Sequence, residues 1–288
     1  MVLQQDIGSQ VMIAARRSLG TATYVVLIVL VIAVLLPLAW LYLSSIKNGV
    51  EMYSIPPVII PHNPTLSSYR QIFTDQGFES GFLNSVIVAV VSTLATIVLS
   101  CPAAYGFSRY LNRGGALIMF FVLATRMFPP VTFCLPFFIL MLHLHLINTK
   151  VGLAIVYLSF QLPLAIWLLE SFFREIPREL EDAGKVDGLS RSQILIRLVI
   201  PLALPGVAVA TIFSFLLSWN EFIYALILTR TDVARTVPVV ISGWISIFQI
   251  LWGKMTAASG VYVLPALVFV SFVQKGMLKG LMQGGLKG

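Results

Sequence analysis

Hydrophobic positions in this chain come in long blocks, and most polar positions fall in the gaps between them. Six blocks reach or approach the roughly 20 residues a helix needs to cross a bilayer: Tyr24–Leu43, Asn84–Tyr105, Ala116–Met141, Val151–Leu169, Pro205–Leu228 and Ala257–Val273. The pattern predicts an all-α, polytopic membrane protein with six transmembrane helices. Tyr24–Leu43 is too long for a signal-peptide core and has no small-residue cleavage site after it, so it reads as an uncleaved span. Val237–Trp252 is also apolar, but it is short and holds Ser242, Gly243, Ser246 and Gln249. It is expected at the outer interface, as helix or loop, anchored by Trp244 and Trp252. Lys47–Gly81, rich in Pro and Ser, is expected to form a small outer cap. Five of the six blocks contain interior prolines (Pro37, Pro102, Pro129 with Pro130 and Pro136, Pro163, Pro265), which predicts bent helices.

One gap breaks the pattern. Between Ile176 and Pro201 the chain turns polar and carries the signals of two short helices joined by a turn. Pro177 suits a first helical turn, and Glu179, Glu181 and Asp182 lie near that helix's positive end. Gly188 supplies a turn, Ser190 with Gln193 forms a Ser-x-x-Gln capping box, and Pro201 is expected to end the second helix. Such an elbow is either a docking element for a soluble partner or an ordinary amphipathic connector.

Composition places the chain in a bilayer: 58% of the residues are apolar and only 11% charged, with a mean hydropathy of +0.92. The net charge of +7 raises the question of nucleic acid, but the basic residues form no run or stripe, so no nucleic-acid partner is expected. With the N-terminus inside, Arg16, Arg17, Arg109, Arg113, Arg174, Arg178, Lys185, Arg191, Arg197, Lys275, Lys279 and Lys287 are cytoplasmic. Lys47, Arg70, Lys150, Arg230, Arg235 and Lys254 are then outside, which satisfies the positive-inside rule and makes both termini and the elbow cytoplasmic. Cys101 and Cys134 fall near opposite membrane faces on this topology, so neither a disulfide nor a metal pair is expected.

Arg126 remains inside a span, about 15 Å from its cytoplasmic end. A central arginine is costly in lipid and calls for a partner or a wet cavity. Glu221 is the acidic residue deep enough to meet it, so an Arg126–Glu221 pair or a shared polar cavity is expected to line a path, with Gln161 and Asn220 adding hydrogen bonds. A buried clamp between helices is the other reading of the same residues. Phe128, Phe133, Tyr157, Phe160 and Trp219 could stack on the flat face of a solute or simply pack. His143 and His145 have no ligand neighbours at metal spacing, so no metal site is expected. No nucleophile–base or paired-carboxylate arrangement suggests an enzyme.

The sequence Asp182-Ala183-Gly184-Lys185-Val186-Asp187-Gly188, followed at Pro201 by a proline, resembles the EAA loop of permease subunits of binding-protein-dependent ABC importers. Ala183, Asp187, Gly188 and Pro201 match that pattern; Asp182 stands where the family has Glu, Gly184 replaces its second Ala, and Leu189 replaces the Ala after Gly188. Glu181 is a partial substitute for the missing Glu. Pro64-Thr65-Leu66 with Tyr69, Asn84-Ser85, Ala103-Ala104-Tyr105 with Arg109, Trp219-Asn220-Glu221-Phe222 and the tail from Gly280 to Gly288 are similar to the maltose-type carbohydrate-uptake group, and to the six-span permease of its pair.

The resemblance implies a carbohydrate or polyol permease in a bacterial inner membrane. It implies four kinds of partner: a dimer of ATP-binding subunits, a second related permease, an extracytoplasmic solute-binding protein and the lipid bilayer. Glu181, Asp182, Ala183, Gly184, Asp187, Gly188, Leu189 and Ser190 would form the coupling helix that seats in the ATPase. The chain has no Gly-x-x-x-x-Gly-Lys-Ser/Thr phosphate loop, so ATP and magnesium are expected on the partner and no cofactor or catalytic site on this chain. Arg126, Gln161, Trp219, Asn220 and Glu221 are the candidates for the path. The layout is then a cytoplasmic segment 1–23, a permease domain 24–273 and a cytoplasmic tail 274–288. Within the permease domain lie an outer segment 44–81, the EAA loop 174–204 and an outer loop 229–256, expected to touch the binding protein. An ion-coupled secondary transporter is the alternative; it would need several acids at mid-membrane, and only Glu221 qualifies.

Overall fold

A computed structural model describes residues 2–74, 77–110, 113–247 and 249–284, with side chains for 23–74, 77–110, 114–247 and 249–274. The side chains of Arg16, Arg17, Arg113, Lys275 and Lys279, and all of Lys287 and the last four residues of the expected tail, lie outside what is described. The described helices include four long and apolar enough to cross a membrane, and six if each of two sharply bent pairs counts as one span.

The chain divides into two compact units, one running to Gln71 and including Trp252–Gly260, the other Ile72–Leu251 with Val261 onward. In the first, α1 (Val2–Ser45) carries the apolar span Thr23–Ser45, exposed along most of its length and buried at its end, at Ser44 and Ser45. A folded polar segment follows. Asn48 caps α2 (Gly49–Met52), and the buried Glu51 accepts the backbone N–H groups of His62 and Asn63 at 3.0 and 3.1 Å. Thr65 donates its N–H to the Ile46 carbonyl, and Ser45 bonds Tyr69 on α3 (Ser67–Thr74).

The second unit is built around α4 (Phe78–Arg109) and α7 (Lys150–Glu175), which pack along their length, with α11 (Leu204–Trp219) against both. A polar ladder runs through this otherwise apolar seam. Ser92 donates to Ser218 Oγ at 3.0 Å, Thr96 to Gln161 Oε1 at 2.6 Å, and Gln161 Nε2 to Ser92 at 3.2 Å. Each bond satisfies groups that have no water in the bilayer core, so the ladder holds three helices in register.

The third and fifth predicted blocks are not single helices. The third is α5 (Arg113–Ala124) and α6 (Cys134–His143), joined through two 3₁₀ turns and bent by 96°. Pro129 and Pro130 cause the break: neither has an N–H to continue the ladder, and the residue before a proline is pushed to extended backbone, as Phe128 is at φ −78°, ψ 136°. The fifth block ends α11 at Trp219, breaks at Asn220–Phe222 and resumes as α12 (Ile223–Leu228). Val237–Trp252 contains the short helix α13 (Val237–Ser242) and a tight turn closed by an antiparallel bridge between Ile245 and Ile250, before α14 (Trp252–Gly284) begins.

Candidate coupling elbow and membrane cavity

The polar segment folds as an elbow whose turn is specified almost atom by atom. In α8 (Arg178–Val186), Glu179 and Glu181 lie in the first turn and Lys185 in the last, each charge matching the helix end it faces. Gly188 takes φ +80°, its N–H reaching the Lys185 carbonyl while the Leu189 N–H reaches that of Gly184, at 3.0 and 2.9 Å. Those two bonds are the Schellman closure of a helix, which favours a glycine at this position. The capping box at Ser190 and Gln193 is formed and opens α9 (Arg191–Ile194). The helices cross at Gly184, where a Cβ would lie 2.8 Å from Leu198 Cδ1.

Pro201 does not end the second helix. Residues Leu195–Val199 widen into a π turn, with Ile200 bonding back to Leu195, and Pro201 occupies the first turn of α10 (Ile200–Leu202). The wider turn accommodates the ring and the missing N–H of the proline, which an α-helical turn would not. The chain bends by 83° between Arg191–Leu202 and Leu204–Trp219.

Glu181, expected on the partner-facing surface, is turned the other way. It is buried and accepts the Tyr105 hydroxyl at 2.7 Å and Arg109 Nε at 2.6 Å, while Arg109 Nη2 donates to the Ile176 carbonyl at 3.0 Å. The glutamate therefore bolts the elbow to the end of α4. Gly184 is also buried and Leu189 is partly so; Asp182, Ala183, Lys185, Asp187, Gly188 and Ser190 are exposed. Asp182 bonds Lys185 at 2.7 Å, and that bond with the lysine's charge holds the Asp182 carboxyl below its ordinary range and the ammonium above its own. Sequence reasoning missed Val186, 88% exposed at the tip of the elbow. It also missed the anchoring role of Tyr105 and Arg109, which counted as part of a family motif and, for Arg109, as a topology marker, because nothing local links a residue on α4 to one on α8.

Two neighbouring cavities, of about 380 and 370 Å³, share Arg126, Phe160 and Tyr224 in their walls. Arg126 Nη1 donates to the Phe160 carbonyl at 2.9 Å, and its guanidinium lies 5.9 Å from the Phe160 ring centre. The expected ion pair with Glu221 is not formed. Both Glu221 oxygens are taken by the N–H groups of Tyr224 and Ala225, at 2.7 and 3.0 Å, so this carboxylate caps α12 across the break in the fifth block. Glu221, Asn220 and Arg126 nevertheless line the 370 Å³ cavity together.

Gln161 and Trp219 are not in these walls. Gln161 belongs to the polar ladder, and Trp219 is buried with its ring stacked 4.4 Å from that of Tyr262, donating Nε1–H to the Tyr262 carbonyl. Phe133 and Phe160 line the 380 Å³ cavity, Phe128 meets Phe133 edge to face, and Tyr157 is wholly buried.

At the other end of α4 from Arg109, Asn84 donates to the carbonyls of Asp232 and Arg235 at 2.9 and 3.0 Å and accepts from Lys150 at 3.2 Å. Ser85 accepts the Val237 N–H, and Asn148 accepts those of Arg230 and Thr231. These bonds tie the loop after α12 to the ends of α4 and α7. Asn84 and Arg109 are separated by about 37 Å of helix, more than the roughly 30 Å of a hydrocarbon layer, so the loop and the elbow lie at opposite ends of α4.

The sequence pattern of the family described as "Binding-protein-dependent transport system inner membrane component" is matched over residues 96–281. The chain is 37% identical over 260 residues to the sulfoquinovosyl glycerol transport system permease protein of Agrobacterium fabrum, covering 90% of this chain and 91% of that one. It is 36% identical to the trehalose transport system permease protein of Mycobacterium tuberculosis, with coverages of 88% and 93%. For the trehalose/maltose transport system permease protein of Thermococcus litoralis the identity is 33% and the coverages 91% and 94%. A chain from the crystal structure of a bacterial ABC transporter involved in the import of the acidic polysaccharide alginate matches with a TM-score of 0.76 over 90% of this chain and 96% of its own. At 23% identity that likeness speaks for a shared fold.

Proposed function

This chain belongs to the family of binding-protein-dependent transport system inner membrane components, and from that premise we propose that it passes a carbohydrate or polyol through an ATP-driven importer. It is a multi-pass permease subunit, and ATP hydrolysis belongs to a separate partner subunit. The elbow, exposed from Asp182 to Asp187 apart from Gly184 and closed by a glycine turn, is the observation that carries the reading. On this reading the elbow and both termini are cytoplasmic. The elbow seats in the ATPase through Asp182, Ala183, Lys185, Val186 and Asp187, and the loop after α12 faces the solute-binding protein.

Stiffness lets the elbow transmit motion. α8 is fixed at its start by the Glu181–Arg109 pair and at its end by the Schellman turn, so a displacement of its tip is passed on rather than absorbed. One route leads through Arg109 into α4, the other through the 83° bend into α11. Those helices meet α7 at the polar ladder, and Phe160 of α7 forms a wall shared by the two cavities. The relatives named for sulfoquinovosyl glycerol, trehalose and maltose transport support a sugar as cargo. The residues agree: Arg126 and Asn220 offer hydrogen-bond donors to hydroxyl groups, and Phe160 with Tyr224 offers aromatic surface for a sugar face.

Two experiments test this reading. In the first, the intact chain should co-purify with its ATPase subunits, and the pair Asp187→Lys with Gly188→Val should abolish recovery of the complex while the chain still inserts in the membrane. Undiminished co-purification would remove the elbow from the interface. In the second, Arg126→Leu and Asn220→Ala should each lower solute uptake about tenfold, the equivalent of one lost hydrogen bond to a charged or polar group. The ATPase rate of the reconstituted complex should persist. Uptake at the wild-type rate in both variants would show that solute passes elsewhere.

A further inference from the structure

Beside the start of the elbow lies a cavity of about 630 Å³, separate from those around Arg126, with Ser108, Arg109, Arg174, Pro177, Arg178 and Glu179 in its walls. Two spans end here. Arg109 is in the last turn of α4, Arg174 in the last turn of α7, and Arg178 is the first residue of α8. Three arginines face one acidic lining residue, Glu179. Arg109 is matched by Glu181 and Arg174 by Glu170, with the Arg174 side chain still 62% exposed. Arg178 makes no ion pair within 4 Å among the described residues, although its charge is felt by Asp182 one turn further along α8. Pro177 gives α8 no side-chain cap, so the first N–H groups of that helix add positive potential to the same place.

We propose that this cavity binds the phosphodiester headgroup of an anionic phospholipid, with Arg178 and Arg174 as its principal contacts. Depth selects a lipid over a soluble anion. The site opens where α4 and α7 leave the apolar layer, which is the level of the headgroup phosphates, and basic pockets between helix ends on the cytoplasmic side hold such headgroups. Guanidinium groups suit the task because each presents paired donors to phosphate oxygens. A lipid seated there touches Arg109 and Pro177, so it braces the joint between the spans and the elbow. The proposal takes its sidedness from the proposed function, but headgroup binding as such needs neither transport nor an ATPase.

The test uses the purified full transporter in nanodiscs of phosphatidylcholine mixed with phosphatidylglycerol, and counts retained lipids by native mass spectrometry. Arg178→Gln should lower phosphatidylglycerol retention about fivefold, the factor expected for one surface cation against an anionic headgroup. Arg174→Gln should act in the same direction. Thermal unfolding of Arg178→Gln in phosphatidylcholine alone should match the wild type, which separates lost binding from lost folding. Wild-type retention in Arg178→Gln overturns the proposal. So does protection of the detergent-solubilised protein by inorganic phosphate equal to that by phosphatidylglycerol, which would make the site one for a free anion. Loss of the ATPase subunits with lipid retention intact would assign Arg178 to the protein interface instead.

Discussion

Arg109→Met alone should destabilise the folded subunit by about 3–5 kcal/mol, the penalty for leaving a buried carboxylate without its counter-charge. Arg109 and Glu181 are each only 6% exposed and 2.6 Å apart, so neither can exchange its partner for water without dragging α8 off the end of α4. Membrane extracts should yield less assembled transporter, melting at a lower temperature. The complementary variant distinguishes a lost pair from a bad substitution. Arg109→Met, Glu181→Leu and Tyr105→Phe together replace charge and hydroxyl by apolar groups of similar size, and should recover most of the lost stability. Coupling should not recover with it, because the directional bonds that orient the elbow are gone. An Arg109→Met protein that assembles and melts like the wild type would mean that the elbow is held by something else.

The second large effect is expected at Gly206, three residues beyond the bend at Ala203. A Cβ there would overlap the ring of Phe172 on α7 and come within 2.8 Å of the Phe172 Cβ, atoms too close to the backbone to swing aside. The helices must separate instead, so Gly206→Ala should cost about 1–3 kcal/mol and Gly206→Val more. Because α11 also carries Ser218 of the polar ladder, its displacement should lower solute uptake as well as stability. Gly206→Ala combined with Phe172→Leu should restore part of both, as the smaller side chain returns the space. A Gly206→Val protein with wild-type melting and uptake would refute the close helix contact.

Particular residues show what could be read in advance. The capping box at Ser190 and Gln193 and the turn at Gly188 were legible because each depends on atoms within a few residues of one another. That Val237–Trp252 is not one long helix was legible from its length and polar residues, although its division into a helix and a bridged turn was not. The breaks at Pro129–Pro130 and at Asn220–Phe222 had visible causes, yet a proline bends one helix and stops another according to what packs beside it. Glu181 misled for a similar reason. A first-turn glutamate reads as helix-end electrostatics on an exposed surface, and only the arrival of Tyr105 and Arg109 from another helix turns it inward. Arg126 and Glu221 were expected to pair or to share a polar cavity; the backbone groups of Phe160, Tyr224 and Ala225 satisfy them instead of a direct pair, and both line one cavity.

The sequence by itself determined where the chain is apolar enough to enter a bilayer, which gap stays polar, and how the elbow's turn is closed, since hydrophobic length and capping are local properties of covalent neighbours. Only the tertiary structure decided which polar side chains face a cavity, which lock helices together, and which way Glu181 points. Those outcomes depend on bonds between residues tens of positions apart, and a buried donor or acceptor takes whichever partner the packing of α4, α7 and α11 brings within reach.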